Sequence, residues 1–97
     1  MKILLLCNQG MSTSALVANM RKCVDDDTQI DAHPITNYEE AAEGYDVVLL
    51  GPQIRYKLDE VKTTLAAKGI GVDVIDPASY GMLNGQKVVD QAKSLVK

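Results

Sequence analysis

Two short runs, Ile3-Leu4-Leu5-Leu6 and Val47-Val48-Leu49-Leu50, are apolar at every position. A strand with one wet face alternates polar and apolar residues, so runs without alternation belong to strands covered on both faces, as in parallel sheets flanked by helices. The segments from Gln29 to His33 and from Val72 to Asp76 also have strand character. Gln29 to His33 sets Ile30 and Ala32 against Asp31 and His33, which places it at a sheet edge. Strands are therefore predicted over Lys2 to Leu6, Gln29 to His33, Asp46 to Leu50 and Val72 to Asp76.

Helical periodicity fills the gaps. Leu16, Met20, Cys23 and Val24 form one stripe, Ile54, Leu58, Val61 and Leu65 a second, and Val88, Val89, Ala92, Leu95 and Val96 a third. Asn37 to Glu43 reads as a short helix with Asn37 as its N-cap and Gly44 as its end, and Lys68-Gly69 closes the following helix. Strand and helix thus alternate, which with right-handed crossovers predicts an α/β fold. Its sheet is open, four-stranded and parallel, in the order 2-1-3-4, with helices on both faces. The order follows from keeping the partly polar second strand out of the centre.

The 97 residues suit a single domain spanning 1–97. A composition of 46% hydrophobic and 24% charged residues, with no apolar stretch near the roughly 18 residues of a membrane helix, predicts no direct membrane insertion. The chain enters a strand almost at once, leaving no room for a secretory signal, so the expected location is cytoplasmic. A net charge of −3 with scattered Lys and Arg argues against nucleic acid as a partner. Cys7, Cys23 and the lone His33 make no zinc pattern, and no metal or cofactor is expected.

The segment Cys7-Asn8-Gln9-Gly10-Met11-Ser12-Thr13-Ser14 joins the first strand to the first helix. It puts a thiol, a glycine and three hydroxyls where unpaired N–H groups converge and the helix dipole favours negative charge, which makes it a phosphate-binding loop. The same field favours thiolate over thiol, so Cys7 is the candidate to carry a phosphoryl group covalently. Gly51-Pro52 and Asp76-Pro77 end other strands at the same carboxyl edge, where open α/β sheets bind ligands. A Walker-type loop is excluded, because Gly10 is followed by Met11 with no Lys before Arg21.

A low-molecular-weight tyrosine phosphatase or an arsenate reductase also places a Cys at this point, followed by five residues, an Arg and a Ser or Thr. Here Thr13 stands in the Arg position. The absent guanidinium would clamp the phosphoryl oxygens in flight, and losing one such donor typically costs about 10²–10³ in rate. Asp76-Pro77 resembles the general acid of those enzymes in place and type, and is also ordinary turn chemistry.

The run from Ile3 to Ser14, the segment from Asp46 to Tyr56 with its Gly51-Pro52-Gln53-Ile54, and Val74-Ile75-Asp76 followed by Tyr80-Gly81 together resemble a bacterial family. It is the IIB component, lactose/cellobiose type, of the phosphoenolpyruvate-dependent sugar phosphotransferase system, and the resemblance covers nearly the whole chain. It implies that Cys7 accepts phosphate from a phosphohistidine of the IIA component. It further implies transfer to a sugar of the cellobiose, chitobiose, lactose or β-glucoside class entering through the IIC membrane permease. Thr13 is a departure from the phosphatases but none from this family.

Among the remaining residues, Cys23 lies on the apolar stripe of the first helix and is expected in the core. His33 before Pro34 is expected as a surface or turn residue, and Asp25-Asp26-Asp27 as a solvated helix exit. Pro52, Gln53 and Tyr80, on loops at the carboxyl edge with Tyr56 nearby, are candidates for the rim of the site or for partner contact. Met11, an apolar residue in a polar loop, suits a docking patch used by two partners.

Overall fold

A computed structural model describes residues 1–7 and 14–96 of the chain. The strands are β1 (Lys2–Cys7), β2 (Gln29–Pro34), β3 (Val47–Leu50) and β4 (Gly71–Val74). They form one sheet in the order β2-β1-β3-β4, parallel throughout, as the apolar runs predicted. β1 is central: Ile3 pairs with Ile30 on one side and Val47 on the other.

Alternation along β1 sends Ile3 and Leu5 to one face and Leu4 and Leu6 to the other, and all four are buried. The first face is covered by α1 (Ser14–Arg21) and α5 (Gly85–Ser94) through Leu16, Val17, Met20, Val88, Val89 and Ala92. The second is covered by α2 (Tyr38–Ala41), a 3₁₀ segment (Pro52–Lys57) and α3 (Leu58–Ala66), which contribute Tyr38, Ile54, Val61 and Leu65. Each fully buried aliphatic side chain contributes about 1.5–3 kcal/mol, so the apolar runs and helical stripes account for the layering.

Several boundaries differ from the sequence expectation. α1 stops at Arg21, whose guanidinium donates to the Ile30 carbonyl at 3.1 and 2.7 Å, tying the helix end to β2. Cys23 consequently lies past the helix and is exposed, not in the core. On β2 only Ile30 is buried; Ala32 is exposed, because no helix covers that part of the edge strand. Asn37 precedes α2 with φ 58 and makes no side-chain cap, so its place there comes from its tolerance of the left-handed region. Gly44 and Gly69 end their helices as expected, at φ 85 and 76.

The fourth strand runs from Gly71 to Val74 instead of from Val72 to Asp76. Ile75 still donates to the Leu50 carbonyl at 2.8 Å, but the Asp76 N–H turns away to Gln91 Oε1 at 3.2 Å. Asp76 then precedes an additional helix, α4 (Pro77–Gly81), with Pro77 in its first turn. Tyr80 therefore stands on a helix, not on a loop, and Gln53 and Tyr56 belong to the 3₁₀ segment.

α5 is seated directly on α1. A Cβ added to Gly85 would lie 2.6 Å from the Asn19 carbonyl carbon and from the Met20 nitrogen. Just before it, Leu83 takes φ 53, and its carbonyl accepts from Asn19 Nδ2 at 2.9 Å. The backbone contact and the side-chain bond fix the helix that begins where the Cys7 segment ends.

Candidate functional site

Cys7 is the last residue of β1, opposite Pro34 of β2, and is 8% exposed. Its carbonyl accepts from the Ile35 N–H at 2.8 Å, and its sulfur lies 3.9 Å from the His33 carbonyl oxygen. Strand alternation puts its side chain on the face of Ile3 and Leu5, the face that α1 and α5 cover. The thiol therefore sits at the carboxyl edge of the central strand, on the side from which α1 starts.

Asn8, Gln9, Gly10, Met11, Ser12 and Thr13, the expected phosphate loop, lie outside the described residues. Ser14, the last member of that set, is the first residue of α1. The field of the α1 dipole thus acts at the end of the segment that Cys7 begins.

On the other side of Cys7 the edge is built by β3. The Gly51 N–H donates to the Leu6 carbonyl at 2.9 Å, continuing the register that pairs Leu6 with Leu50. Pro52 follows at the start of the 3₁₀ segment, half-buried, and Gln53 is exposed. A Cβ on Gly51 would meet Gln53 Oε1 at 3.0 Å, the Leu6 carbonyl oxygen at 3.6 Å and Tyr80 Cε2 at 4.0 Å. The structure thus brings Cys7, Gly51, Gln53 and Tyr80 to one edge. Tyr80 packs on the core of the α1/α5 face, and its hydroxyl is buried with no hydrogen-bond partner among the described residues.

Other candidates stand apart from this cluster. His33 turns its ring to the Thr36 carbonyl, with Nε2 3.2 Å away. Cys23 lies against the Asn19 carbonyl at 3.3 Å. Asp76 is exposed, and its carboxylate accepts the Ser79 hydroxyl at 3.0 Å, the work of a turn residue at a helix start. Asp25 accepts the Asp27 N–H in the exposed turn after α1. Among the described residues no three His, Cys, Asp or Glu side chains converge as metal ligands would. A groove of about 420 Å³ lined by Asp46, Gly69, Ile70 and Leu95 opens at the amino edge of the sheet, away from Cys7, and holds none of the candidates.

Two features of the site escaped sequence reasoning. Pro77 in a first turn after Asp76 was the available signal for α4, the helix that carries Tyr80. The approach of Tyr80 to Gly51, beside Cys7, depends on how α4 packs across the sheet edge, which no local pattern encodes.

Comparison with known proteins agrees with this architecture. Residues 2–91 match the family model described as the lactose/cellobiose-specific IIB subunit of the phosphotransferase system. The oligo-β-mannoside-specific EIIB component of Bacillus subtilis is 38% identical, over 98% of this chain and 95% of its own length. The cellobiose-specific EIIB component of Lactococcus lactis is 37% identical, over 97% and 94% respectively. The lactose-specific IIB component domain of Streptococcus pneumoniae superposes with a TM-score of 0.86, covering 100% of this chain and 98% of that one; at 18% identity it speaks for the fold alone. A thiol closing the central strand of a parallel 2-1-3-4 sheet and a family match over nearly the full length lead to one assignment: the chain belongs to the lactose/cellobiose-specific IIB subunits of the sugar phosphotransferase system.

Proposed function

We propose that this phosphotransferase component carries its phosphoryl group on Cys7. The phosphorus–nitrogen bond of a phosphohistidine on IIA breaks as a sulfur–phosphorus bond forms at Cys7. That bond breaks in turn as a sugar hydroxyl taken up through IIC attacks phosphorus and gives up its proton. The observation carrying this reading is the position of Cys7 at the carboxyl end of the central strand, where ligands of open α/β sheets bind.

In this reading the backbone N–H groups from Asn8 to Ser14 and the hydroxyls of Ser12, Thr13 and Ser14 surround the phosphoryl oxygens. Each charge-assisted bond contributes about 1.5–3 kcal/mol. Thr13 in place of an arginine suits a carrier, which must orient and neutralise the group without activating water against it. The hold of Ser79 on the Asp76 carboxylate supports the carrier over the phosphatase. Pro52, Gln53 and Tyr80 border the group, while exposed Tyr56 and Met82 offer apolar contact to a docking protein. Cys23 and His33 take no part in transfer, and no cofactor is needed.

No helix of the described residues is long and apolar enough to cross a membrane, which supports a cytoplasmic carrier that associates with membrane-bound IIC. Near-equal identity to relatives named for oligo-β-mannosides, for cellobiose and for galactose carries no single sugar over to this chain. The test is intact mass after incubation with phosphorylated IIA. A gain of one phosphate that disappears in Cys7→Ser is expected; phosphate on His33, or transfer surviving Cys7→Ser, overturns the reading.

A further inference from the structure

The register that pairs Leu6 with Leu50 brings Gly51 beside Cys7, and parallel neighbours stand about 4.8 Å apart. Cys7 and Gly51 occupy equivalent positions of the alternation, on the face covered by α1 and α5. Their outer neighbours in this row, Pro34 and Ile75, carry full side chains; Gly51 carries none. With no side chain on Gly51, Gln53 and Tyr80 come close to the strand beside the thiol: Gln53 Oε1 lies 3.0 Å and Tyr80 Cε2 4.0 Å from where a Gly51 Cβ would stand.

The carbon adjacent to Cε2 bears the Tyr80 hydroxyl. That hydroxyl is buried without a partner among the described residues, although the rest of the ring is accounted for by packing on the core. A phenylalanine would fill the same volume and avoid the desolvation that an unpaired hydroxyl suffers. A donor maintained at that cost beside an anion-carrying sulfur points to the anion as its partner.

We propose that Tyr80 is a phosphoryl-binding residue: when Cys7 carries the group, the Tyr80 hydroxyl donates to one of its oxygens. No covalent bond changes at the tyrosine. The inference rests on Cys7 being the carrier, and the experiment separates the two.

Wild type, Tyr80→Phe and Gly51→Ala are each incubated with phosphorylated IIA and followed by intact mass, ³¹P NMR and thermal unfolding. Gly51→Ala should fold, because among the described residues the only contact as short as 3.0 Å is the flexible end of Gln53. Unphosphorylated Tyr80→Phe should melt at or above the wild-type temperature, since it loses an unpaired polar group. Its equilibrium constant for accepting phosphate should nevertheless fall about tenfold, the worth of one hydrogen bond to a charged group, and its ³¹P resonance should move. Gly51→Ala should weaken acceptance as well, because its methyl group would stand beside Cys7 against Gln53 and the Tyr80 ring. A Tyr80→Phe chain that accepts phosphate as well as wild type, with an unmoved ³¹P resonance, overturns the inference alone. A wild-type chain that gains no phosphate on Cys7 overturns the carrier reading and the inference together.

Discussion

Asp31 collects three donors at the sheet edge: the Tyr45 hydroxyl at 2.6 Å, the Gln29 amide at 2.6 Å and the Arg21 guanidinium at 3.5 Å. The Tyr45 bond first, then Gln29, with Arg21 and Lys2 adding attraction, holds its carboxyl below the usual range against the opposing effect of burial. Tyr45, half-buried and donating to that carboxylate, is pushed up from 10.0 to about 12 by its partial burial and by the Asp31 carboxylate. A raised value in the folded state means that Tyr45 contributes fully below pH 10 and loses its contribution as pH climbs through 12. Stability from urea unfolding should therefore fall between those values in wild type, and Tyr45→Phe should flatten that part of the profile. The lowered Asp31 acts oppositely: its contribution is present above the ordinary carboxylate range and vanishes as pH falls through the depressed value. The two cysteines show what single residues disclose in sequence. The place of Cys7 at a strand end was legible because the apolar run before it is a local signal. Cys23 was misplaced because its burial hung on where α1 stops, and the distant Ile30 carbonyl, reached by Arg21, marks that end.

Among the elements, α1 and α5 meet most closely. Gly85 leaves no room for a side chain against the Asn19 and Met20 backbone, and backbone atoms cannot rotate aside as a side chain would. Gly85→Ala should destabilise by about 1–3 kcal/mol, the usual range for overpacking, read as a lower urea midpoint with unchanged slope. Element type and sheet order were readable because burial on both faces imprints itself on four consecutive residues, Ile3 to Leu6 and Val47 to Leu50. Ends were less so. β4 gives up Asp76 to a helix start because the Gln91 side chain, from α5, takes the N–H that the ladder would have used. The expected phosphate loop after Cys7 was read from composition and lies outside the described residues, whereas the approach of Tyr80 to Gly51 arises from strand register and from a helix packed across the sheet.

For the whole molecule, the layering governs access to Cys7, the carrier under the proposed function. Cys7 is only 8% exposed, and its strand is paired on both sides, by β2 and by β3. A strand held in two ladders cannot slide to present the thiol elsewhere, so under the proposed carrier role donor and acceptor meet Cys7 at the same sheet edge in turn. Their visits are mutually exclusive, and turnover follows ping-pong kinetics in which release of one protein gates arrival of the next. Initial rates of sugar phosphorylation should give parallel double-reciprocal lines, and excess unphosphorylated IIA should inhibit competitively with IIC. Intersecting lines would require a ternary complex and overturn this reading. Tighter docking to either partner would then slow the relay, because a carrier that must leave before it can deliver gains throughput from brief encounters.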